Sequence, residues 1–308
     1  MKVILTGSTG MVGAAIARYL STKGVTILTA GRTSNSDLAF DPLVAAVRRL
    51  PWPTCDAIIH IAAANEIACR DDPANALLTN VFGTQVVLEE CVLAKIPSLI
   101  YVSTFHVYGS ARGLINEQVK PSPIDNYGLT HLFSEQCVEN YSKTHNLFTT
   151  VLRSSNLFGI PENIDEFNRW TLIPYAFCKE AFTSGKIVLK TPGTQFRNFV
   201  HLDHLGNAIY SAIESKHSFR LLNIAGPDTL SVRQFAELVA ERALLTLGRV
   251  IEILAPEDVS VKQLEPLLFV SESIPIVGDE ATSIERFVDE MLLLCRHRFK
   301  ILDSHAST

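Results

Sequence analysis

Short apolar runs recur through the first half of the chain, and most are separated by enough mixed sequence for one helix. The first heads VILTGSTGMVG at 3–13; TILTAG (26–31), LAF (38–40), AIIHIA (57–62), SLIYVST (98–104) and TTVLRSS (149–155) follow. Each is rich in residues that suit a strand buried on both faces of a parallel sheet. Amphipathic stretches at about 73–94 and 126–145 are long enough to cross over such a sheet as helices. The alternation predicts an α/β fold, a doubly wound parallel sheet of Rossmann type with ligands beyond the C-terminal ends of its strands. One corner stays open: only Arg32 to Asp37 separates the second run from the third, too few residues for an ordinary crossover helix.

Beyond about residue 157 the pattern is mixed, with Pro161, Pro174, Pro192, Pro227, Pro256, Pro266 and Pro275 punctuating short elements. The expected organisation is a dinucleotide-binding domain over 1–156 and a smaller substrate-binding lobe over 157–308, partly interleaved with the last strands of the sheet. Composition narrows the class of protein. At 308 residues and 47% hydrophobic, the chain can bury a large core. A formal charge of −5 without any run of Lys or Arg argues against nucleic acid or an anionic membrane as partner. The six cysteines are scattered without a CxxC pair, the pattern of reduced, mostly buried thiols in a cytoplasmic protein and not of a zinc site or disulfide frame. Lys2 precedes only three apolar residues before Thr6 and Gly7, so no signal peptide is expected. Nor is a membrane span, since no apolar stretch runs uninterrupted for about 18 residues.

Candidate chemistry begins at the first turn. Gly7, Gly10 and Gly13 lie between a strand and an alanine-rich helical stretch. There the first glycine turns the chain, the second lets backbone N–H groups approach a pyrophosphate, and the third lets the helix lie close to the sheet. The spacing is GxxGxxG, not the commoner GxGxxG.

Taken with this turn, the ordered strings DAIIHIAAA (56–64), NVFGT (80–84), STFHVYG (103–109), YGLTH (127–131), RSSNLFG (153–159), RNFVHLD (197–203) and LNIAGPDTLS (222–231) carry a resemblance. The chain resembles the extended short-chain dehydrogenase/reductase family, the NAD(P)-dependent epimerases, dehydratases and reductases of nucleotide sugars. The resemblance makes Tyr127 the catalytic tyrosine, a phenol exchanging a proton with the sugar while nicotinamide C4 exchanges hydride. Thr104 becomes the hydroxyl on the same substrate oxygen, with Ser103 as the alternative. Without the resemblance, Thr104 reads as a β-branched strand residue and Tyr127 as an aromatic packed at a helix start. Where the family has lysine four residues after the tyrosine, this chain has His131. Histidine still donates to a ribose hydroxyl but is largely neutral at pH 7. Three readings follow: a working variant with altered pH dependence, an enzyme of a less demanding step, or a binding protein that has lost chemistry.

The resemblance also implies that Gly7, Thr9, Gly10, Met11, Val12, Gly13, Ala62, Ala63 and Asn80 hold the dinucleotide, with Asp41 near the adenine. Asn80 reads equally as a helix cap. Asn156 and Arg197 match contacts to the nucleotide sugar's diphosphate; the alternative for Arg197 is a surface ion pair. His201, Asp203 and His204 are read as structural, with Asp203 capping the next helix and no metal, and His60 as a core or cofactor-side histidine. Phe105 and His106 replace the Asp-Glu of the family's 4,6-dehydratases, which disfavours dehydration. At the end of the second strand stand Gly31, Arg32, Thr33 and Ser34, with no acid before Asp37, so NADP is expected and NAD is the alternative. The leading expectation is reduction of a 4-keto nucleotide sugar by NADPH, with Tyr127 as proton donor, for a deoxysugar of a surface polysaccharide. The alternatives are a C4 epimerase with retained NAD and a non-catalytic nucleotide-sugar-binding protein on the same scaffold. The resemblance also admits a homodimer.

Overall fold

A computed structural model describes residues 1–32, 34–41, 52–109, 112–257, 265–276 and 278–305. Thr33 lies outside them. The strands in chain order are β1 (Lys2–Thr6), β2 (Thr26–Gly31), β3 (Leu38–Ala39), β4 (Ala57–His60), β5 (Ser98–Thr104), β6 (Gly113–Ile115), β7 (Phe148–Ser154), β8 (Asn156–Phe158), β9 (Lys186–Val188), β10 (Phe196–His201), β11 (Phe219–Ile224), β12 (Asp228–Ser231), β13 (Glu252–Leu254) and β14 (Leu267–Phe269). Seven of them form one parallel sheet in the order β11-β7-β5-β4-β1-β2-β3. The chain leaves β1 toward β2 and β3, then restarts at β4 on the other side. That reversal opens a crevice between the ends of β1 and β4, where such sheets bind ligands.

Successive residues of each strand face opposite layers. Val3 and Leu5 pack toward the Met11–Thr22 and Leu202–Glu214 helices, among Ile16, Leu20, Leu205 and Ile209. Ile4 and Ile58 face the other layer, where Val86, Val87 and Cys91 of the Gly83–Leu93 helix meet Val138 of the Asn126–His145 helix. The predicted crossover helix at 73–94 is a succession: Pro73–Ala76, a π-helical turn at Leu77–Phe82, then Gly83–Leu93. By length and composition this stretch passes for a membrane span, and half of it is buried inside the fold.

One expectation is corrected, and the corner left open is settled. Past residue 157 the elements are not all short: helices run over Ile173–Ser184, Leu202–Glu214, Val232–Leu247 and Ile284–His305. Proline breaks only a helix interior, and Pro174 stands in the first turn, where its missing N–H has no partner to lose. Three of these helices enclose a second core with Phe158, Tyr175, Phe199, Phe235 and Met291. At the open corner, β3 pairs with β2 in parallel through Ala30↔Leu38 and Gly31↔Ala39 without a crossover helix. The Asp37 carboxylate accepts from the backbone N–H and hydroxyl of Thr29, both at 2.8 Å, and folds the short link back on β2.

Candidate active site

The glycine turn closes on the crevice for steric reasons that differ by position. Gly7 has φ 76°, and a Cβ there would lie 2.7 Å from the Ala62 nitrogen; a Cβ on Gly13 would lie 2.1 Å from the Gly7 carbonyl oxygen. Gly10 is different, since its Cβ would meet only the Gly7 oxygen at 3.4 Å. It is exposed and caps the Met11–Thr22 helix, whose start has no side-chain cap and no acidic residue in its first turn. An open helix N-terminus of this kind attracts an anion. Thr9 is exposed beside it, with Met11 and Val12 half-buried in the first helical turn. Across the crevice, Thr6 Oγ1 accepts from Ile61 and Ala62 N–H (3.2 and 3.3 Å), and Asn80 Oδ1 accepts from Ala64 N–H at 2.6 Å. The loop carrying Ala62 and Ala63 is thereby fixed opposite the glycines.

Thr104 ends β5, and Tyr127 stands in the first turn of the Asn126–His145 helix. Asp125 caps that helix by accepting from Gly128 N–H at 2.7 Å. A Cβ on Gly128 would come 2.5 Å from the His106 carbonyl oxygen, so this glycine lets the helix lie against the turn that follows β5. The Tyr127 phenol is pushed up, first by burial and then by the Glu66 carboxylate, while Arg169 and the Thr104 hydroxyl oppose the rise. Glu66 and Arg169 themselves pair through two hydrogen bonds of 2.7 and 2.9 Å. A phenol so placed is protonated at neutral pH, and the cation that favours its ionised form is Arg169.

His131 lies one helical turn on, its ring edge-to-face with Tyr127 at 4.7 Å. Its Nδ1 is 2.7 Å from the Tyr101 hydroxyl, while Nε2 is buried without a hydrogen-bond partner. Burial first, then His106 and His60, lower its pKa to about 3. A dry site with a neutral partner disfavours the charged ring. The vacant Nε2 suits a hydroxyl, donating to it or accepting from it according to the tautomer. A dinucleotide fits this cradle, its phosphates at the uncapped helix start and a ribose hydroxyl at Nε2.

Asn80 is not a cap. It is buried in the π-helical turn, where its amide also donates to Thr130 Oγ1 at 2.9 Å and ties the Ala62–Ala64 loop to the tyrosine's helix. Ser103 points away from Thr104 and donates to Glu135 Oε1, whose carboxylate holds Arg153 in a buried ion pair. Asn156 on β8 donates to the Asn198 carbonyl at 2.8 Å. Arg197 on β10 is half-buried, donates to the Phe196 carbonyl, and has no carboxylate partner among the described residues. Arg32 is exposed, and Asp41 follows β3 at the sheet edge. His60 is a satisfied core residue between Thr6 Oγ1 (2.7 Å) and Thr84 Oγ1 (3.1 Å). Asp203 does not cap the next helix: His201 Nδ1 accepts from Asp203 N–H, and the Asp203 carboxylate pairs with Arg18. Among the described residues no group of three His, Cys, Asp or Glu could hold a metal ion.

Glu66 and Arg169 escaped the sequence reading. Glu66 opens a short helix capped by Asn65, a signal available in the sequence, but its partner is 103 residues away in a segment without periodicity.

A model of the NAD dependent epimerase/dehydratase family matches residues 3–225. The chain is 26% identical over 264 residues to UDP-glucose 4-epimerase of Corynebacterium glutamicum, covering 78% of this chain and 80% of that protein. It is 28% identical over 197 residues to dTDP-glucose 4,6-dehydratase of Streptomyces griseus, covering 63% of this chain and 58% of the relative. Among solved structures, UDP-glucuronic acid 4-epimerase of Bacillus cereus in complex with UDP-glucuronic acid and NAD superposes with a TM-score of 0.74 at 19% identity, over 96% of this chain and 99% of that one.

Proposed function

The chain belongs to the NAD dependent epimerase/dehydratase family, and we propose that within it the protein inverts C4 of a UDP-linked sugar with NAD retained. The observation that carries this reading is the Tyr127 phenol interacting with the Thr104 hydroxyl, together with a glycine turn and a His131 Nε2 that fit a dinucleotide. Support comes also from the 4-epimerase relative, matched over four fifths of its length, and from Phe105 and His106 standing where dehydratases carry an acid pair. NAD replaces the NADP expected from Arg32 because the family is NAD dependent and structural neighbours solved with a dinucleotide hold NAD.

When bound, NAD supplies the acceptor and donor of hydride. The chain's own part begins with Arg197, which balances the diphosphate charge from its half-buried strand position. Thr104 and Tyr127 bracket the sugar's 4-oxygen; Tyr127 takes its proton and later gives one back. Arg169 is the cation that favours the phenolate Tyr127 must reach before it takes that proton, a task His131 leaves open by staying neutral. His131 and Asn80 act on position, one toward the ribose, the other through the loop it fixes.

The test is to measure dinucleotide carried through purification and to follow UDP-glucose to UDP-galactose interconversion by NMR. Retained NAD and interconversion that falls by about 10²–10⁴ in Tyr127→Phe, with dinucleotide still bound, are expected. Stoichiometric oxidation of added NADPH by a UDP-4-keto sugar, without interconversion, would return the reductase reading; nucleotide-sugar binding without either reaction would favour the non-catalytic one.

A further inference from the structure

We propose that residues 160–170 form a strap across the mouth of the crevice, and that two ion pairs, Arg18–Glu162 and Glu66–Arg169, set how fast a bound dinucleotide leaves. The inference rests on the dinucleotide reading above and adds to it a control on cofactor retention.

Between the end of β8 at Phe158 and the helix that starts at Ile173, the described chain forms neither helix nor strand. Side chains hold this stretch in place of a backbone ladder. Near its start, Glu162 Oε1 accepts from Arg18 Nε at 2.7 Å. Arg18 belongs to the Met11–Thr22 helix, the wall that begins at the glycine turn. Near its end, Arg169 Nη2 donates to both Glu66 oxygens, at 2.9 and 2.7 Å. Glu66 opens the Glu66–Asp71 helix, which follows the loop of residues 62–64 after its cap Asn65 and so belongs to the opposite wall. A segment pinned to both walls has to span the gap between them. The residue steps from Glu162 to Arg169 reach at most about 25 Å, enough for such a span. Both charges of the second pin also act on the Tyr127 phenol, so the strap ends beside the reacting group.

Between the pins, Ile164 and Phe167 pack on the second core, the Phe167 ring 4.7 Å from that of Tyr175, and Asp165 pairs with Arg298 at 3.3 Å. The strap thus rides on the second core, and its pins tie it to the walls of the crevice. A cavity of ≈ 360 Å³ lies at the first pin, lined by Ala15 and Arg18 on the wall and by Ile160, Pro161 and Glu162 on the strap. There the strap shifts without disturbing a close-packed interior. The four charged side chains of the pins are partly exposed. A pair of this kind changes an equilibrium by about fivefold at most, strong enough to slow release and weak enough to open. With both pins made, a dinucleotide at the glycine turn is covered; with either parted, the strap lifts at that end and the dinucleotide leaves.

The probe is NAD labelled in its adenine, loaded on the purified protein and chased with excess unlabelled NAD. Glu66→Gln, Arg169→Gln and Glu162→Gln should each release it faster than wild type, by up to about fivefold. Glu162→Gln leaves Arg18 its second partner, Asp203, and far-UV circular dichroism reports that each variant is folded. The direction is diagnostic. Through the phenol alone, loss of Glu66 and loss of Arg169 act oppositely, whereas either loss opens the strap. The second readout is backbone amide hydrogen exchange over residues 160–172 without added dinucleotide, followed by mass spectrometry, which should quicken in all three variants. Unchanged release in the three variants overturns the proposal, as do opposite effects of Glu66→Gln and Arg169→Gln. Faster release with unchanged amide exchange makes the pairs direct cofactor contacts and equally overturns it. A wild type that takes up no NAD overturns the cofactor reading and the strap's role with it, an outcome seen in the loading and not in the rate.

Discussion

Acidification from pH 7 to pH 5 should destabilise this protein through two histidines that the fold holds neutral. His131 has its pKa lowered to about 3 and His60 to about 4, both by burial. In the unfolded chain each titrates near 6.5. Between those values the unfolded state binds a proton that the native state refuses, so stability falls as pH falls below about 6.5 and continues to fall until the folded pKa is reached. At pH 5 the cost is about 2 kcal/mol for each ring, about 4 together, against a typical domain stability of about 5–15. Asp125 and Asp289, held below the usual carboxylate range by His106 and Arg242, contribute with the same sign but mainly at pH values below about 5, where unfolded carboxylates begin to protonate. His201 and His204 are lowered by burial too, so the wild-type slope holds more than two rings and the variants isolate each one. The assay is urea unfolding at several pH values from 7.5 to 5, at fixed dinucleotide concentration, for wild type, His131→Gln and His60→Gln. Each variant should lose close to one proton of slope between pH 6 and 5, about 1.4 kcal/mol per pH unit. Since the slope is read, an overall loss of stability in the variant does not confuse the result. An unchanged slope in His131→Gln would mean that the native ring binds its proton as readily as the unfolded one, and the dry, neutral His131 would be wrong.

Removing Arg169 takes away the cation facing Tyr127, so Arg169→Gln should push the basic-side requirement of turnover to higher pH, while Glu66→Gln should move it lower; pH–rate profiles of UDP-glucose interconversion check both. Gly13→Ala forces a methyl to within 2.1 Å of the Gly7 carbonyl oxygen and should abolish dinucleotide binding, whereas Gly10→Ala, with 3.4 Å available, should bind more weakly but measurably by calorimetry. Glu135→Gln leaves Arg153 buried without its counter-charge and should cost about 3–5 kcal/mol in urea unfolding.

Much of the fold was legible because the signals that make it are short-range. Strand runs such as SLIYVST carry their own β preference and double-sided apolarity, and the spacing of Gly7, Gly10 and Gly13 reflects steric demands met within a dozen residues. Thr104 and Tyr127 were singled out only by the family resemblance, and the structure places them at the end of β5 and the start of a helix. The amino-acid order also exposed the departure at His131. What it left undetermined was the state of that ring. Only packing decided that His131 would be buried against Tyr101 with one nitrogen vacant, because desolvation depends on neighbours from other elements. The same holds for the Glu66–Arg169 pair, joined across 103 residues, and for Asp203, drawn to Arg18 while His201 takes the cap. Local stereochemistry thus dictated where the chain turns and which residues end the strands; long-range burial and ion pairing, which no window of sequence contains, set the charge on the groups gathered there.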